Sequence, residues 1–219
     1  MIISPSVISC KLENLKYEIE QSVLGGAGQF HLDIMDGHFV PNITMGSDLL
    51  KAVRRCTDLP LEAHMMVTYP SRYWKVFADA GADILLFHYE SNVPLLKCFK
   101  EVKEYRKNYG IVLNPETPFD EIKDILDGAS MLVLMSVHPG FSGQSFIEGT
   151  TSKIKKARNY IDENGLDTLI EIDGGINDKN ASIASRSGAD ILVSASYIYG
   201  GVITERIRKL KSLSSLETE

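Results

Sequence analysis

The sequence predicts an α/β chain whose eight parallel strands close into a single (β/α)8 barrel, and three observations carry that expectation. Short β-branched or apolar runs recur eight times, each is followed by a longer amphipathic or helix-favouring stretch, and the runs are too apolar to leave either face in water. An open doubly wound sheet is the alternative, because periodicity neither counts strands nor proves closure.

The runs fall at residues 2–8, 30–35, 61–66, 84–88, 110–113, 131–137, 169–172 and 191–193. Gly25-Gly26-Ala27-Gly28 makes the corner into the second run. Pro70-Ser71-Arg72-Tyr73 opens a helix after the third, since proline lacks only a donor that a first helical turn would leave free. Gly81-Ala82-Asp83 leads into the fourth run, and Gly188-Ala189-Asp190 repeats that corner before the eighth. Pro118-Phe119-Asp120-Glu121 opens the helix after the fifth, with acidic groups at its positive end. No linker or second composition zone interrupts residues 1–219, so one catalytic domain is expected, with 212–219 a fraying polar tail.

The 219 residues, 44% of them apolar, suffice for one substantial core. With 29 acidic and 23 basic residues the formal charge is −6, and no dense basic run exists, which argues against nucleic acid as a partner. No stretch approaches the roughly 20 apolar residues of a membrane span, and the first residues lack a basic leader, so a cytoplasmic protein without membrane partners is expected. Cys10, Cys56 and Cys98 lie far apart without metal-type spacing and read as reduced, mostly buried thiols. A homo-oligomer is left open by the sequence.

In such a barrel the chemistry belongs where strands run into the following loops. Four strings sit at expected strand exits: His31-Leu32-Asp33, Glu62-Ala63-His64, His88-Tyr89-Glu90 and Glu171-Ile172-Asp173-Gly174-Gly175. All five histidines, His31, His38, His64, His88 and His138, fall at such ends. His31 and Asp33 are two apart and share a face of their strand. With His64 and Asp173 they can offer a metal two imidazoles and two carboxylates, a set that suits zinc, manganese, iron or cobalt alike. An unpaired carboxylate facing a barrel interior would carry a large desolvation cost, so Asp33 and Asp173 need such a role. If they flank a carbon bearing an acidic proton, one can remove the proton from one face while the other delivers a proton to the opposite face, inverting the centre. The alternative is that both only ligate metal and another residue moves the proton.

Glycine- or small-residue loops follow the last three strands: Pro139-Gly140-Phe141-Ser142-Gly143-Gln144, Asp173-Gly174-Gly175-Ile176-Asn177 and Ser194-Ala195-Ser196. Their backbone N–H groups can bind a phosphate without lysine or arginine. Met35, Met66 and Met135 are candidates for an apolar collar around the reacting carbons; Met65 and Met66, being adjacent, cannot both face inward.

These residues resemble the ribulose-phosphate 3-epimerase family. The resemblance is carried by Ser4-Pro5-Ser6, by the twelve-residue string His31-Leu32-Asp33-Ile34-Met35-Asp36-Gly37-His38-Phe39-Val40-Pro41-Asn42, by His64-Met65-Met66-Val67, by Asn114-Pro115-Glu116-Thr117-Pro118, by Met135-Ser136-Val137-His138-Pro139-Gly140-Phe141 and by Glu171-Ile172-Asp173-Gly174-Gly175-Ile176. It implies a (β/α)8 TIM barrel of the ribulose-phosphate-binding type, serving the pentose phosphate pathway. The barrel would interconvert D-ribulose 5-phosphate and D-xylulose 5-phosphate at C3 through an ene-diolate. It implies one divalent metal per chain, Zn2+ foremost with Fe2+, Mn2+ or Co2+ as alternatives, held by His31, Asp33, His64 and Asp173. Asp33 and Asp173 match the two acid/base positions, and Ser6, His64 and Asp173 match positions that touch substrate. The phosphate side maps to Gly140, Phe141, Ser142, Gly143, Gly174, Gly175, Ala195 and Ser196. Ser142 and Ala195 stand where the family commonly has glycine, and His138 replaces a frequent asparagine; an added Cβ could narrow the pocket or exclude a positive φ. A ketohexose 6-phosphate such as D-allulose 6-phosphate is the alternative substrate, and a non-catalytic phosphate-binding barrel the alternative of another class.

Overall fold

Nine strands form one sheet in the computed structural model, which describes residues 1–92 and 94–214. The strands are β1 (Ile2–Pro5), β2 (Phe30–Asp36), β3 (Ile43–Thr44), β4 (Leu61–Met66), β5 (Ile84–His88), β6 (Asn108–Leu113), β7 (Met131–Met135), β8 (Leu169–Asp173) and β9 (Ile191–Ser194). They are hydrogen-bonded in the order β1-β9-β8-β7-β6-β5-β4-β2-β3. All pairs are parallel except the short hairpin of β3 on β2, which the sequence did not signal.

The sheet is open and curled. Its two far-separated strands β1 and β2 meet at one parallel bridge, Ser6 to His31, in place of the continuous closing ladder expected from the sequence. Where β1 meets β2, Pro5 has no N–H to offer a ladder. After it Ser6 caps a 3-10 turn over Val7–Ser9, its side chain accepting from the Ile8 N–H, so the first run ends as a strand at Pro5 rather than at residue 8.

Helices cover the outer face: α1 (Leu15–Gly25), α2 (Ser47–Arg54), α3 (Trp74–Asp79), α4 (Leu95–Glu104), α5 (Thr150–Glu163), α6 (Ala181–Arg186), the single turn α7 (Ser196–Tyr199) and α8 (Ile203–Ser214). Leu95, Cys98, Phe99 and Val102 of α4 and Ile154, Ala157 and Ile161 of α5 are buried at helical spacing against the strands. Pro118 caps a 3-10 helix, Phe119–Ile125, and Pro70 opens another, Pro70–Arg72, so both proline devices start tighter helices than expected. Of the tail expected to fray, residues 212–214 continue α8 and 215–219 lie outside the described residues. All three cysteines are unpaired, Cys10 and Cys98 buried and Cys56 half-buried. Among the described residues no helix is long and apolar enough to cross a membrane.

The two similar corners do the same work. Asp83 accepts from the Leu61 N–H at 2.9 Å and faces Arg54, while Asp190 accepts from the Ile170 N–H at 2.8 Å and from Arg158 at 3.1 Å. Each corner therefore ties a helix arginine and the start of a neighbouring strand to one carboxylate.

Inside the curl the side chains divide into two halves. Ile84, Leu86, Val112, Met131, Val133, Met135, Val137 and Ile191 make an apolar cluster of their own, separate from the main core under the helices. Gly110 belongs to this half because a Cβ there would lie 2.6 Å from Leu86 Cδ2 and 2.9 Å from the Met131 carbonyl oxygen. The other half, from β1, β2, β4 and β8, is buried and polar: Ser4, Ser6, His31, Asp33, Glu62, His64 and Glu171.

Candidate active site

Register builds the polar half. In the β2–β4 ladder His31 pairs with Glu62 and Asp33 with His64, so one inward row carries four ionisable side chains. Asp173 closes β8 beside Val193. The strings expected at strand exits are therefore split: His88 and Asp173 do end their strands, whereas His31, Asp33, Glu62 and His64 lie within theirs, because β2 and β4 run on to Asp36 and Met66.

The ligand atoms of His31, Asp33, His64 and Asp173 lie within 4.8 Å of one another. His31 Nε2 is 2.9 Å from His64 Nδ1 and 3.6 Å from both Asp33 Oδ1 and Asp173 Oδ2. His64 Nδ1 is 3.3 Å from Asp33 Oδ1 and 3.5 Å from Asp173 Oδ2. Donors at ~2.0–2.1 Å from a tetrahedral divalent ion stand about 3.3–3.4 Å apart, so these spacings and this N2O2 set fit such an ion. Each aspartate gives the cluster one oxygen. Asp33 Oδ2 instead accepts a 2.5 Å hydrogen bond from the Ser6 hydroxyl.

Behind the cluster, His31 Nδ1 donates to Glu62 Oε2 at 3.0 Å, which turns Nε2 toward the cluster. Glu62 also accepts from Ser4 and Gln29, and Glu171 lies 3.2 Å from the same His31 nitrogen. Burial, and then the charge of Glu62, push the Glu171 carboxyl well above the usual range. Burial opposes charge on His31, but Asp33, Glu171 and Glu62 around it hold its imidazole well above its ordinary value. The two cluster aspartates are driven apart. Burial would raise Asp33, yet His31 and His64 hold it well below the usual carboxylate range. Asp173 goes up, through burial first and the neighbouring Asp33 charge, against the opposing pull of His31 and His64.

Asp33 and Asp173 of the cluster line the floor of a cavity that opens among the loops after β7, β8 and β9. Ser6, Asp33 and Asp173 line its depth, with Met35, Met66 and Met135 around them. Met66 faces in and Met65 faces the helices, and Ile8 and Val40 join the apolar ring although the sequence did not single them out. The far wall is Gly140, Phe141, Ser142, Gly143, Gly174, Gly175, Ala195 and Ser196, brought together from the three loops. His31 and His64 lie beneath, fully buried.

Two histidines fall outside this arrangement. His38 is exposed and bonds its own turn at the Asp36 carbonyl, and His138 is exposed and pairs with Glu116 at 3.3 Å. Both occupy loops whose direction periodicity does not reveal.

Comparison with known proteins agrees with this geometry. A family model described as "Ribulose-phosphate 3 epimerase family" matches residues 2–199. The chain belongs to the ribulose-phosphate 3-epimerase family. It is 45% identical over 199 residues to the ribulose-phosphate 3-epimerase of Bacillus subtilis (strain 168), covering 90% of this chain and 92% of that one. It is 39% identical to the Aquifex aeolicus (strain VF5) protein of the same name, covering 97% and 96%. Against the chloroplastic ribulose-5-phosphate-3-epimerase of Arabidopsis thaliana, identity is also 39%, covering 97% and 76%. Among solved structures, 3-hexulose-6-phosphate synthase from Salmonella typhimurium superposes with a TM-score of 0.74 at 17% identity, covering 98% of each chain. Phosphoribosyl anthranilate isomerase from Thermus thermophilus does so with 0.67 at 14%, covering 97% of this chain and 98% of that one. At such identities these likenesses speak for the α/β fold alone.

The departures from the family pattern do not place a side chain in the left-handed region. Ala195 has φ −110°, and the positive-φ non-glycine positions are Met45 and Arg106, so neither Ala195 nor Ser142 is forced into the left-handed region. Gln144 pins the Gly140 loop by donating to the His138 and Phe141 carbonyls. Gln29 and Ser4, which hold the carboxylates behind His31, were legible in principle: they continue the period-two rows of His31 and Asp33 and of Ser6.

Proposed function

We propose that this protein inverts C3 of D-ribulose 5-phosphate to give D-xylulose 5-phosphate, with Asp33 and Asp173 as the opposed acid/base pair. The observation that carries the assignment is that Asp33 and Asp173, from two separate strands, each commit one oxygen to a common cation locus and line the same cavity.

His31, Asp33, His64 and Asp173 would hold one divalent ion per chain, Zn2+ foremost, with Fe2+, Mn2+ and Co2+ the other candidates. When bound, the ion supplies Lewis-acid stabilisation of the negative charge that develops on the ketose oxygens. Asp33, ionised, takes the C3 proton, and the Ser6 hydroxyl on Oδ2 keeps that carboxylate aligned. Asp173 delivers a proton to the opposite face of the resulting ene-diolate, and the two exchange roles in the reverse direction. Met35, Met66 and Met135 limit water at the reacting carbons. Backbone from the Gly140–Gly143, Gly174–Gly175 and Ala195–Ser196 stretches receives the phosphate.

The reading takes residues 1–219 as one catalytic domain and the curled sheet as a (β/α)8 barrel. The Ser6–His31 bridge and the superpositions support that architecture. It includes a cytoplasmic location without nucleic-acid or membrane partners, supported by composition and charge. Ser142 and Ala195 enlarge side chains on the phosphate wall, which favours the five-carbon substrate. Comparing kcat/KM for D-ribulose 5-phosphate and D-allulose 6-phosphate under equal metal loading tests the assignment. Preference for the pentulose is expected. A ratio favouring the hexulose by ~10-fold, about 1.4 kcal/mol of transition-state discrimination, would overturn the substrate.

A further inference from the structure

His88 and Glu90, at the end of β5, form a chain behind His64 that proton transfer at C3 and phosphate binding leave unused. The two nitrogens of His64 have different neighbours. Nδ1 joins the four-donor cluster, and Nε2 lies 2.9 Å from His88 Nε2. The rings are inclined by 20° with centroids 5.0 Å apart, and their nitrogens approach far more closely than their centroids. They therefore meet edge to edge, as one N–H···N hydrogen bond requires. His88 is fully buried with the Phe39 ring against it at 4.7 Å, and on its far side it presents Nδ1 to Glu90 Oε2 at 3.2 Å. Glu90 is held in turn: its Oε1 accepts from the Asn114 N–H at 2.8 Å and from the Thr117 hydroxyl.

Asp33 Oδ1 lies 3.3 Å from His64 Nδ1, but His31 Nε2 is closer at 2.9 Å and can supply the N–H there, so the direction of the chain is set at its Glu90 end. A neutral imidazole has one N–H and one lone pair, and a carboxylate only accepts. Glu90 therefore takes the N–H of His88 Nδ1, which leaves His88 Nε2 as an acceptor. His64 must then donate from Nε2, and the lone pair left on it is that of Nδ1. We propose that Glu90, acting through His88, is a positioning residue for His64, fixing the tautomer that offers Nδ1 to a divalent cation; the inference rests on the metal reading above. Glu62 orients His31 with one link fewer. Outer partners of a ligating histidine typically govern metal affinity by 10–100-fold.

The test is 15N NMR of histidine-labelled, metal-free protein, together with Zn2+ affinity by chelator competition. In Glu90→Gln the side-chain oxygen stays with Asn114 and Thr117 and the amide NH2 faces His88. Each link then reverses, and the proton moves to His64 Nδ1. The expected result is a proton on His64 Nε2 in the wild type, a proton on Nδ1 in Glu90→Gln with Zn2+ bound about 10–100-fold more weakly, and the wild-type pattern in Glu90→Asp. A wild-type His64 protonated on Nδ1, or a Glu90→Gln variant with unchanged tautomer and affinity, would overturn the proposal. The wild-type spectrum carries the test if the variant does not fold. Tautomer reversal in a protein that binds no Zn2+ would instead overturn the cation reading and leave the Glu90–His88–His64 chain standing.

Discussion

Gly174, immediately after Asp173, offers a perturbation whose cost can be worked from geometry. Its φ is +123°, and an added Cβ would lie 2.5 Å from Val137 Cγ2, 2.8 Å from the Val137 nitrogen and 2.9 Å from Val137 Cγ1. The side-chain atoms could yield, but the backbone nitrogen moves only with the loop after β7. For Gly174→Ala the strained backbone costs ~1–3 kcal/mol and the forced shift a similar ~1–3 kcal/mol, so a loss of about 2–6 kcal/mol is expected. Gly165→Ala is the control. Its φ is +62° and nothing lies within 4 Å of the added Cβ, so only the ~1–2 kcal/mol of left-handed backbone remains. Urea denaturation of both variants measures the difference. Because the displaced backbone carries Asp173, the Gly174→Ala protein that still folds should also lose about 10²-fold in kcat, the scale of an ångström-level misplacement. Equal stability of the two variants, or a Gly174→Ala enzyme with native kcat, would refute the close-approach argument.

Asp33→Asn and Asp173→Asn should each lower kcat by about 10²–10⁴-fold, the usual contribution of a positioned acid or base. Metal content is to be measured on the same samples, and a metal-replete variant turning over at near-native rate would remove that aspartate from proton transfer. Asp36 gives a pH dependence. Burial works against its charge, but the N–H groups of Thr68, Phe39 and His38 hold its carboxyl below the usual range. A depressed folded value contributes stability that is complete above the unfolded carboxyl value of about 3.9 and is lost as pH falls through the folded one. The stability gap between wild type and Asp36→Asn should accordingly be full near neutrality and close in acid, and a gap independent of pH would contradict this.

The parts of this protein that follow from local chemistry were readable from its residues. The third and fourth runs coincide with β4 and β5, and the Gly-Ala-Asp corners with their repeated carboxylate ties. His31 and Asp33 were placed on one face by spacing alone. What was not legible depended on neighbours distant in sequence. The reduction of closure to a single bridge follows from how Pro5 and Ser6 meet β2 and β9 in space. The burial of Glu62 and Glu171 behind His31, and the turning of His38 and His138 to the surface, depend on sheet register and loop direction, which carry no periodic signature. The Ser142 and Ala195 substitutions suggested a backbone conflict that the observed loop conformations do not contain.

The central claim is that two carboxylates exchange the C3 proton across the two faces of a ketose phosphate. It is tested most directly by turning over D-ribulose 5-phosphate in D2O and following C3 by NMR and mass spectrometry. Two solvent-equilibrating carboxylates predict deuterium at C3 of both sugars after repeated interconversion, and none in the Asp33→Asn protein on the same timescale. Retention of the original C3 hydrogen through many conversions would contradict the account.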